Sequence, residues 1–222
     1  MTKIAVFDAK PYDRASFDAA NAGRYAFRYF ETRLTAASVP LAEGCAGVCA
    51  FVNDAVDAAT VEGLVARGVK VLALRCAGYN NVDFKAAFEK GLTVVRVPAY
   101  SPYAVAEHAM ALLMTLNRHL HKAAARTRDF NFSLVGLTGM DLHGKTAGVV
   151  GTGKIGRIFC DICKGLGMRV LAYDAFPNPA SGLDYVTLDR LLAESDVVSL
   201  HCPLTPETHH LFNAETIGMM NP

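Results

Sequence analysis

The sequence predicts an α/β protein with two domains, each built around a parallel β-sheet. Over the first hundred residues, short apolar segments typical of strands alternate with helix-like segments. This alternation is the pattern of a parallel sheet covered by helices on both faces. A glycine-rich turn at residues 151–156 then follows a second buried strand and precedes a second helical pattern, which indicates a separate sheet with a ligand-binding turn. A length of 222 residues suits one large or two small domains.

The first domain is expected to contain a flavodoxin-like parallel sheet. Its predicted strands span residues 4–8, 25–30, 47–52, 70–75 and 93–97. Helices predicted at 57–67 and 83–90 are followed by glycines in C-cap position, Gly68 and Gly91. Ligands in such sheets bind at the carboxyl ends of the strands. Residues 75–78 and 98–102 occupy two of these ends and are therefore the candidates for ligand contact.

A long apolar segment, residues 102–120, connects the two domains. Between residues 103 and 116 it is almost free of charge apart from Glu107. Helices that are apolar on most sides are buried, so we expect this helix to cross between the domains and to pack against a partner subunit. We interpret His108, within it, as a core histidine rather than as a ligand.

The second domain is expected to be an incomplete Rossmann-type domain. Strands are predicted at 146–150, 169–173 and 196–200, and helices at 154–167, 188–193 and 214–220. A complete dinucleotide fold has two βαβαβ halves. Three strands after residue 146 correspond to one half, the one that holds adenosine and pyrophosphate, and the nicotinamide half is not expected within residues 101–222.

The turn 151–156 carries the dinucleotide fingerprint Gly-x-Gly-x-x-Gly. Gly151 permits the tight turn, Gly153 lets the backbone approach a pyrophosphate, and Gly156 lets the helix pack against the strand. The N-terminus of the helix then offers unpaired N–H groups and a partial positive charge to the phosphates.

Asp174 follows the next predicted strand, 18 residues after Gly156. This is close to the spacing of roughly 20 residues at which an acidic residue binds the ribose hydroxyls of a dinucleotide. A carboxylate there disfavours a 2′-phosphate, so the sequence favours NAD over NADP. The next residues, Ala175 and Phe176, supply no arginine that would favour NADP.

Composition excludes several classes of function. A net charge of +1 gives no basic surface for nucleic acid. A hydrophobic content of 52% with 19% charged residues is typical of a soluble globular protein. Lys3 leads directly into the first predicted strand, so we expect no signal peptide, and no apolar run has membrane-spanning length. These features predict a cytoplasmic protein that binds neither nucleic acid nor membrane.

Six cysteines do not form a disulfide-rich framework in a chain of this length. The pair Cys160-x-x-Cys163 resembles a redox motif or half of a zinc site. It lies within the helix after the glycine turn and has no second pair, so we interpret both residues as core thiols and expect no metal site.

Together, several motifs resemble those of the D-isomer-specific 2-hydroxyacid dehydrogenases, in order and spacing over the whole chain. The likeness is closest to the fermentative D-lactate dehydrogenases of bacteria. The motifs are LRCAGYNNVD at 74–83, VPAYSP at 97–102, AEH at 106–108, GTGKIG at 151–156 and HCPLTP at 201–206.

The resemblance implies a substrate domain at residues 1–100, without its C-terminal completion, and an NAD-binding domain at residues 101–222. It also implies a small 2-keto or 2-hydroxy acid substrate and a homo-oligomer, dimer or tetramer, assembled through the region of helix 102–120. Substrate would contact Ala77, Gly78 and Tyr100. NAD would contact residues of the turn and of two later strand ends, namely Gly151, Gly153, Lys154, Ile155, Gly156, Asp174, His201, Cys202, Pro203 and Thr208.

The catalytic arginine, glutamate and histidine of the family align beyond Pro222, so we expect no catalytic residue within residues 1–222. Arg75 and His201 are tempting substitutes. Arg75 ends a buried strand, where a structural ion pair is the better interpretation, and His201 is expected near the cofactor without being the acid. The chain would then represent a truncated enzyme that is inactive alone.

Two other interpretations remain open. The chain could be a non-catalytic NAD-binding or interaction module, like the transcriptional corepressors that share this fold. It could also belong to a dehydrogenase for another small 2-hydroxyacid, such as glycerate or a branched-chain hydroxyacid.

Overall fold

The computed structural model describes residues 1–220 and divides into two compact units, Met1–Tyr100 and Ser101–Pro222. Asn221 and Pro222, where the predicted second domain ends, lie outside the described residues. Each unit contains its own parallel sheet. The predicted fold class, two α/β units with parallel sheets, is therefore confirmed.

The first unit is built on a five-stranded parallel sheet with the order β2-β1-β3-β4-β5, which is the flavodoxin-like order. A single turn of 3-10 helix, Val39–Ala42, lies between β2 and β3. The elements, in chain order, are β1 (Thr2–Val6), α1 (Pro11–Asn21), β2 (Tyr25–Tyr29), β3 (Gly47–Ala50), α2 (Ala58–Ala66), β4 (Val71–Leu74), α3 (Phe84–Glu89) and β5 (Thr93–Arg96).

The helix boundaries of this unit follow from capping. The side chain of Asp57 accepts a hydrogen bond from the backbone N–H of Thr60 and starts α2, and that of Asp83 does the same with Ala86 and starts α3. Gly68 and Gly91 adopt positive φ angles just after these helices, as expected for C-cap glycines. Each predicted strand overlaps an observed one. Strands β2 to β5 are one or two residues shorter than predicted at one end or at both, whereas β1 has the predicted length but lies two residues nearer the N-terminus.

The second unit begins with two helices and continues into a four-stranded parallel sheet with the order β8-β7-β6-β9. A 3-10 turn, Pro179–Ser181, precedes β8. The elements are α4 (Pro102–Asn117), α5 (Leu120–Arg128), β6 (Thr146–Val150), α6 (Lys154–Gly165), β7 (Arg169–Tyr173), β8 (Asp184–Tyr185), α7 (Leu188–Glu194), β9 (Val197–Leu200) and α8 (Ala214–Gly218).

The prediction of three strands in this sheet is wrong, because β8 is a fourth strand. It was missed because a strand of two residues has no recognisable periodicity in the sequence. The observed order matches positions 3-2-1-4 of a dinucleotide fold. β9 therefore lies on the opposite side of β6 from β7, and the point where the strand order reverses is between β6 and β9. Dinucleotides bind at such a switch point, outside the carboxyl ends of the strands.

Two predictions for the apolar helix are also wrong. The helix ends at Asn117, because His119 adopts a left-handed conformation with φ +50° that separates α4 from α5. Within the chain only Ala106 and Met110 of this helix are buried, while Leu116 is 67% exposed, and the expected packing against a partner subunit stays a prediction. His108 is exposed and is not a core histidine.

The core of the second unit forms where α4 packs on α6 and α6 packs on the sheet. Cys160 and Cys163 are fully buried there. Burial raises the pKa of Cys160 to about 11 and that of Cys163 to about 12. Both thiols are protonated at neutral pH, and their interpretation as core residues is confirmed.

No helix within residues 1–220 combines the length and apolar character needed to cross a membrane.

Candidate functional site

The turn after β6 is shaped by two glycines that approach other backbone closely. Gly151 has φ +91°, and a Cβ atom built on it would lie 2.5 Å from the backbone nitrogen of Cys202. A Cβ on Gly156 would collide with the carbonyl oxygen of Gly151. The turn is therefore held against the start of the loop that follows β9, and neither position accepts a side chain without displacing backbone.

Gly153 meets a different constraint. A Cβ atom built on it would have no protein atom within 4 Å, and its φ of −63° is open to any residue. Gly153 is the N-cap of α6, yet no side chain caps this helix, whereas Thr187 caps α7. The first N–H groups of a twelve-residue helix thus face open space beside Gly153. Such a position fits the pyrophosphate of a dinucleotide.

Asp174 stands one residue after β7 and is tied to the same turn. Its Oδ2 accepts hydrogen bonds from the backbone N–H of Thr152 at 2.6 Å and from the Thr152 hydroxyl at 2.9 Å. Its Oδ1 accepts one from the backbone N–H of Phe176 at 2.9 Å. The backbone N–H of Gly151 donates to the carbonyl of Tyr173 at 2.8 Å. The pyrophosphate side and the ribose side of the candidate site are therefore one hydrogen-bonded assembly.

The hydrogen bonds also fix the charge of Asp174. Burial raises the pKa of this carboxyl, but the three donors from Thr152 and Phe176 outweigh burial, and the pKa lies below its usual value. Asp174 is consequently ionised throughout the neutral range. Its contribution to stability is present above the unfolded pKa of roughly 4 and is lost as the pH falls through the lowered folded pKa.

A cavity of about 500 Å³ opens next to Asp174. Tyr185, at the end of β8, and Arg190, on α7, are among the residues that line it. The Tyr185 hydroxyl lies 2.9 Å from the Thr152 hydroxyl, and Nε of Arg190 donates to Glu194 at 2.6 Å. The volume falls within the range of small-ligand sites, roughly 300–1,000 Å³.

The loop after β9 supplies the opposite side of the switch point. The hydroxyl of Thr208 donates to the carbonyl of Pro203 at 2.6 Å and accepts from the backbone N–H of Thr205 at 2.8 Å. These bonds close the loop 203–208. Cys202 is half-buried and Pro203 is exposed, so both present atoms to a ligand at the carboxyl edge of the sheet.

His201 is the first residue after β9 and is held by contacts within the second unit. Its backbone N–H donates to the carbonyl of Val150 at 2.7 Å, its Nε2 lies 3.0 Å from the Ser199 hydroxyl, and its ring lies 5.0 Å from that of Phe159. Burial lowers the pKa of His201. The neutral imidazole therefore predominates at neutral pH, which disfavours His201 as an imidazolium proton donor.

The residues predicted to contact the substrate follow two neighbouring strands of the first unit. Ala77 and Gly78 come after β4, and Tyr100 comes after β5 and is 68% exposed. Arg96 holds this loop, because it donates to the carbonyl of Ala77 at 2.8 Å and its guanidinium lies 5.0 Å from the centre of the Tyr79 ring. A Cβ on Gly78 would meet no atom within 4 Å, which leaves its backbone open to a ligand.

Arg75 is fully engaged within the first unit. Its guanidinium lies 3.2 Å from Asp13, with both side chains about 10% exposed, and it donates to the carbonyls of Phe7 and Asp8 at 3.0 and 2.7 Å. It also lies 4.7 Å from the centre of the Phe51 ring. The expected ion pair of Arg75 is therefore observed, and its purely structural role stays a prediction.

Three residues of these sites were missed by sequence reasoning, namely Thr152, Tyr185 and Arg190. Thr152 occupies a variable position of the fingerprint, and Tyr185 belongs to a strand too short to predict. Arg190 lies 16 residues after Asp174 and reaches the same cavity only because α7 follows β8 closely. A short-range signal for Thr152 did exist, since its hydroxyl precedes the helix, but nothing in the sequence pairs it with Asp174.

Comparisons with known proteins agree on one family. The model of the D-isomer specific 2-hydroxyacid dehydrogenase NAD binding domain matches residues 110–222. A D-lactate dehydrogenase of Escherichia coli is 53% identical over 98% of this chain and 68% of its own length. A 2-hydroxyacid dehydrogenase homolog of Haemophilus influenzae is 54% identical over 98% of this chain and 67% of its own length. The apo-structure of the E. coli D-lactate dehydrogenase superposes with a TM-score of 0.90 at 52% identity, over 99% of this chain and 71% of that chain. The chain thus spans about two-thirds of the length of these relatives.

Proposed function

Since the chain belongs to the D-isomer specific 2-hydroxyacid dehydrogenase family, an NAD-dependent family of oxidoreductases, we propose that it acts in the interconversion of pyruvate and D-lactate. Lactate is the substrate that the name of the 53% identical E. coli relative gives, which favours it over glycerate or a branched-chain hydroxyacid. When bound, the nicotinamide would supply or accept the hydride.

One observation carries the cofactor part of the proposal. Asp174 and the turn 151–156 form a single hydrogen-bonded assembly at the switch point of the second sheet. The uncapped start of α6 would bind the pyrophosphate, with Lys154 and Ile155 as its first residues, and Asp174 would bind the adenosine ribose. His201, Cys202, Pro203 and Thr208 would line the adenine side.

The substrate part rests on the first unit. The backbone around Ala77 and Gly78 would hold the substrate carboxylate. Arg96 stabilises that loop by donating a hydrogen bond to the carbonyl oxygen of Ala77. Tyr100 would form a wall of the substrate pocket. None of these residues is a histidine, the side chain that most often serves as general acid.

We therefore propose that the catalytic arginine, glutamate and histidine of the family lie outside residues 1–222. The two candidates within the chain are committed elsewhere: Arg75 is held by Asp13 and two carbonyls, and His201 is neutral and packed against Phe159. A non-catalytic NAD-binding module would share these features. The identity to enzymes over the whole chain favours the dehydrogenase.

We also propose that the protein is a homo-oligomer that assembles through α4 and the segment that follows α5. Leu112 and Leu116 of α4 are more than half exposed, and Phe130, Phe132, Leu134 and Val135 are 74–85% exposed. Contiguous apolar side chains at the surface mark interaction sites, and a second copy of the chain would cover them.

The ribose assignment is tested by titrating NADH and NADPH into the wild-type chain and into Asp174→Ala. We expect the wild type to prefer NADH, because the ionised carboxylate accepts from a ribose hydroxyl and repels a 2′-phosphate. Asp174→Ala should lose most of this preference. A preference for NADH that is equal in the two proteins would contradict the assignment.

A further inference from the structure

A chain of hydroxyl groups connects Asp174 to the segment before β8. The Thr152 hydroxyl lies 2.9 Å from Asp174 Oδ2 and 2.9 Å from the Tyr185 hydroxyl. The Ser181 hydroxyl donates to the Tyr185 oxygen at 3.4 Å and accepts from the backbone N–H of Leu183 at 3.4 Å. Thr152 is 8% exposed, so water has little access to the junction between Thr152 and Asp174.

The donor and the acceptor of each hydrogen bond in this series of hydroxyl groups follow from the charge of Asp174. An ionised carboxylate can only accept, so the single proton of the Thr152 hydroxyl is donated to Asp174. The Thr152 oxygen can then only accept from Tyr185, and the Tyr185 proton is donated to Thr152. All hydroxyl protons in the series therefore point toward Asp174, which stabilises its negative charge.

This arrangement determines how much of Asp174 remains for a ligand. The two oxygens of a carboxylate offer about four acceptor positions. Among the described residues, Thr152 fills two on Oδ2, through its N–H and its hydroxyl, and Phe176 fills one on Oδ1. A single position on Oδ1 is left, which suits one hydroxyl donor. A phosphate at the same place has no proton to donate at neutral pH and is repelled by a carboxylate that cannot turn away.

We propose that Thr152 and Tyr185 are positioning residues that determine the coenzyme preference of this site. Their hydroxyls orient Asp174 so that it accepts from one ribose hydroxyl and rejects a 2′-phosphate. The proposal rests on the proposed function, because it requires Asp174 to be the ribose-binding acid. It adds that discrimination between NAD and NADP depends on two side chains that need not touch the coenzyme.

The test uses the full 222-residue chain with ADP-ribose and 2′-phospho-ADP-ribose, which differ only at the position that Asp174 would discriminate. Calorimetry gives the two dissociation constants and their ratio for the wild type, Thr152→Val and Tyr185→Phe. We expect the ratio to fall about three- to tenfold in Thr152→Val, the equivalent of one hydrogen bond. Tyr185→Phe should lower it by a smaller factor, because Thr152 keeps its bond to Asp174.

Two controls separate positioning from general damage. Thr152→Ser retains the hydroxyl and should retain the wild-type ratio. Tyr29→Phe removes a tyrosine hydroxyl that donates to Asp18 at 2.7 Å in the first unit and should leave both dissociation constants unchanged. If Thr152→Val does not fold, as judged by circular dichroism and melting temperature, Tyr185→Phe and Thr152→Ser still decide the question.

The outcomes distinguish this inference from the function on which it rests. A ratio that collapses in Asp174→Ala but stays at the wild-type value in Thr152→Val and Tyr185→Phe overturns the inference alone. A ratio unchanged in Asp174→Ala overturns the ribose assignment and the inference with it. Absence of saturable ADP-ribose binding to the wild type also overturns both.

Discussion

The three glycines of the turn 151–156 are required for three different physical reasons. Gly151 has a positive φ and approaches the backbone of Cys202 closely. Gly156 must lack a side chain because the carbonyl oxygen of Gly151 occupies the position that its Cβ would take. Neither reason applies to Gly153, since its φ is ordinary and its Cβ position is open. The protein alone gives no reason for a glycine at 153. A ligand that approaches the backbone does.

Gly153→Asp should therefore change stability and cofactor binding in opposite directions. An aspartate at the N-cap would cap α6 and interact favourably with its dipole, so stability should rise by up to about 1 kcal/mol. The same carboxylate would occupy the phosphate position, and the affinity for NADH should fall by at least about tenfold. Denaturant unfolding and NADH titration measure the two effects.

Gly165→Asp is the matched control, because Gly165 lies in the last turn of the same helix and also has an open Cβ position. There the added charge faces the negative end of the dipole, so stability should fall slightly while NADH affinity stays unchanged. Normal NADH affinity in Gly153→Asp would exclude the start of α6 as the pyrophosphate site.

Sequence spacing alone predicted the glycine turn and Asp174 as cofactor-binding residues. The structure was needed to find Thr152 and Tyr185, which belong to the site through hydrogen bonds between side chains. The fingerprint and the interval to Asp174 are fixed by the length of one strand–helix–strand unit, so they are visible in the sequence. Thr152 and Tyr185 pair across 33 residues, and no local pattern encodes that contact. His108 shows the converse error, since an apolar context suggested burial and the structure exposes it.

Among the secondary-structure elements, the bounds of long strands were easier to predict than which helix surfaces are buried. Strands β6 and β7 were predicted to the residue, because buried β-branched segments end sharply at glycine or aspartate. β8 was missed because two residues carry no period. The helix α4 was predicted from its apolar composition, from which we also expected it to cross between the domains and to pack against a partner subunit. Its exposed leucines and the apolar segment 130–135 have no cover within the described residues of the second unit.

The exposed apolar segment gives a prediction about assembly. Phe132→Ser combined with Leu134→Ser should convert an oligomer into a monomer of 23.8 kDa in sedimentation velocity, because the apolar area that a second copy would cover is lost. Phe88→Ser is the control, since Phe88 is 88% exposed in the first unit. The same sedimentation coefficient for all three proteins would exclude this segment as the interface.

At the scale of the whole molecule, the chain has two parallel-sheet units of the types that the sequence predicted. The strand order of the first unit is flavodoxin-like, and that of the second places a switch point between β6 and β9. The orders themselves could be expected from the family, whereas the hydrogen-bonded assembly around Asp174 required the structure.

Residues 1–222 contain the groups that would bind the adenosine and pyrophosphate of NAD and the carboxylate of the substrate. We propose that proton delivery and stabilisation of the carbonyl oxygen depend on groups outside these residues. General acid catalysis typically contributes ~10²–10⁴-fold and stabilisation of the oxyanion ~10²–10³-fold, so the loss of both should abolish turnover.

NADH binding and pyruvate-dependent NADH oxidation should be measured on one preparation whose intact mass confirms residues 1–222. We predict saturable NADH binding, weaker than in the full-length relatives, without measurable turnover. Turnover above about 1 s⁻¹, within the ordinary enzyme range, would contradict the placement of the catalytic residues and return Arg75 and His201 to consideration. Absence of NADH binding at millimolar concentration would contradict the cofactor site itself.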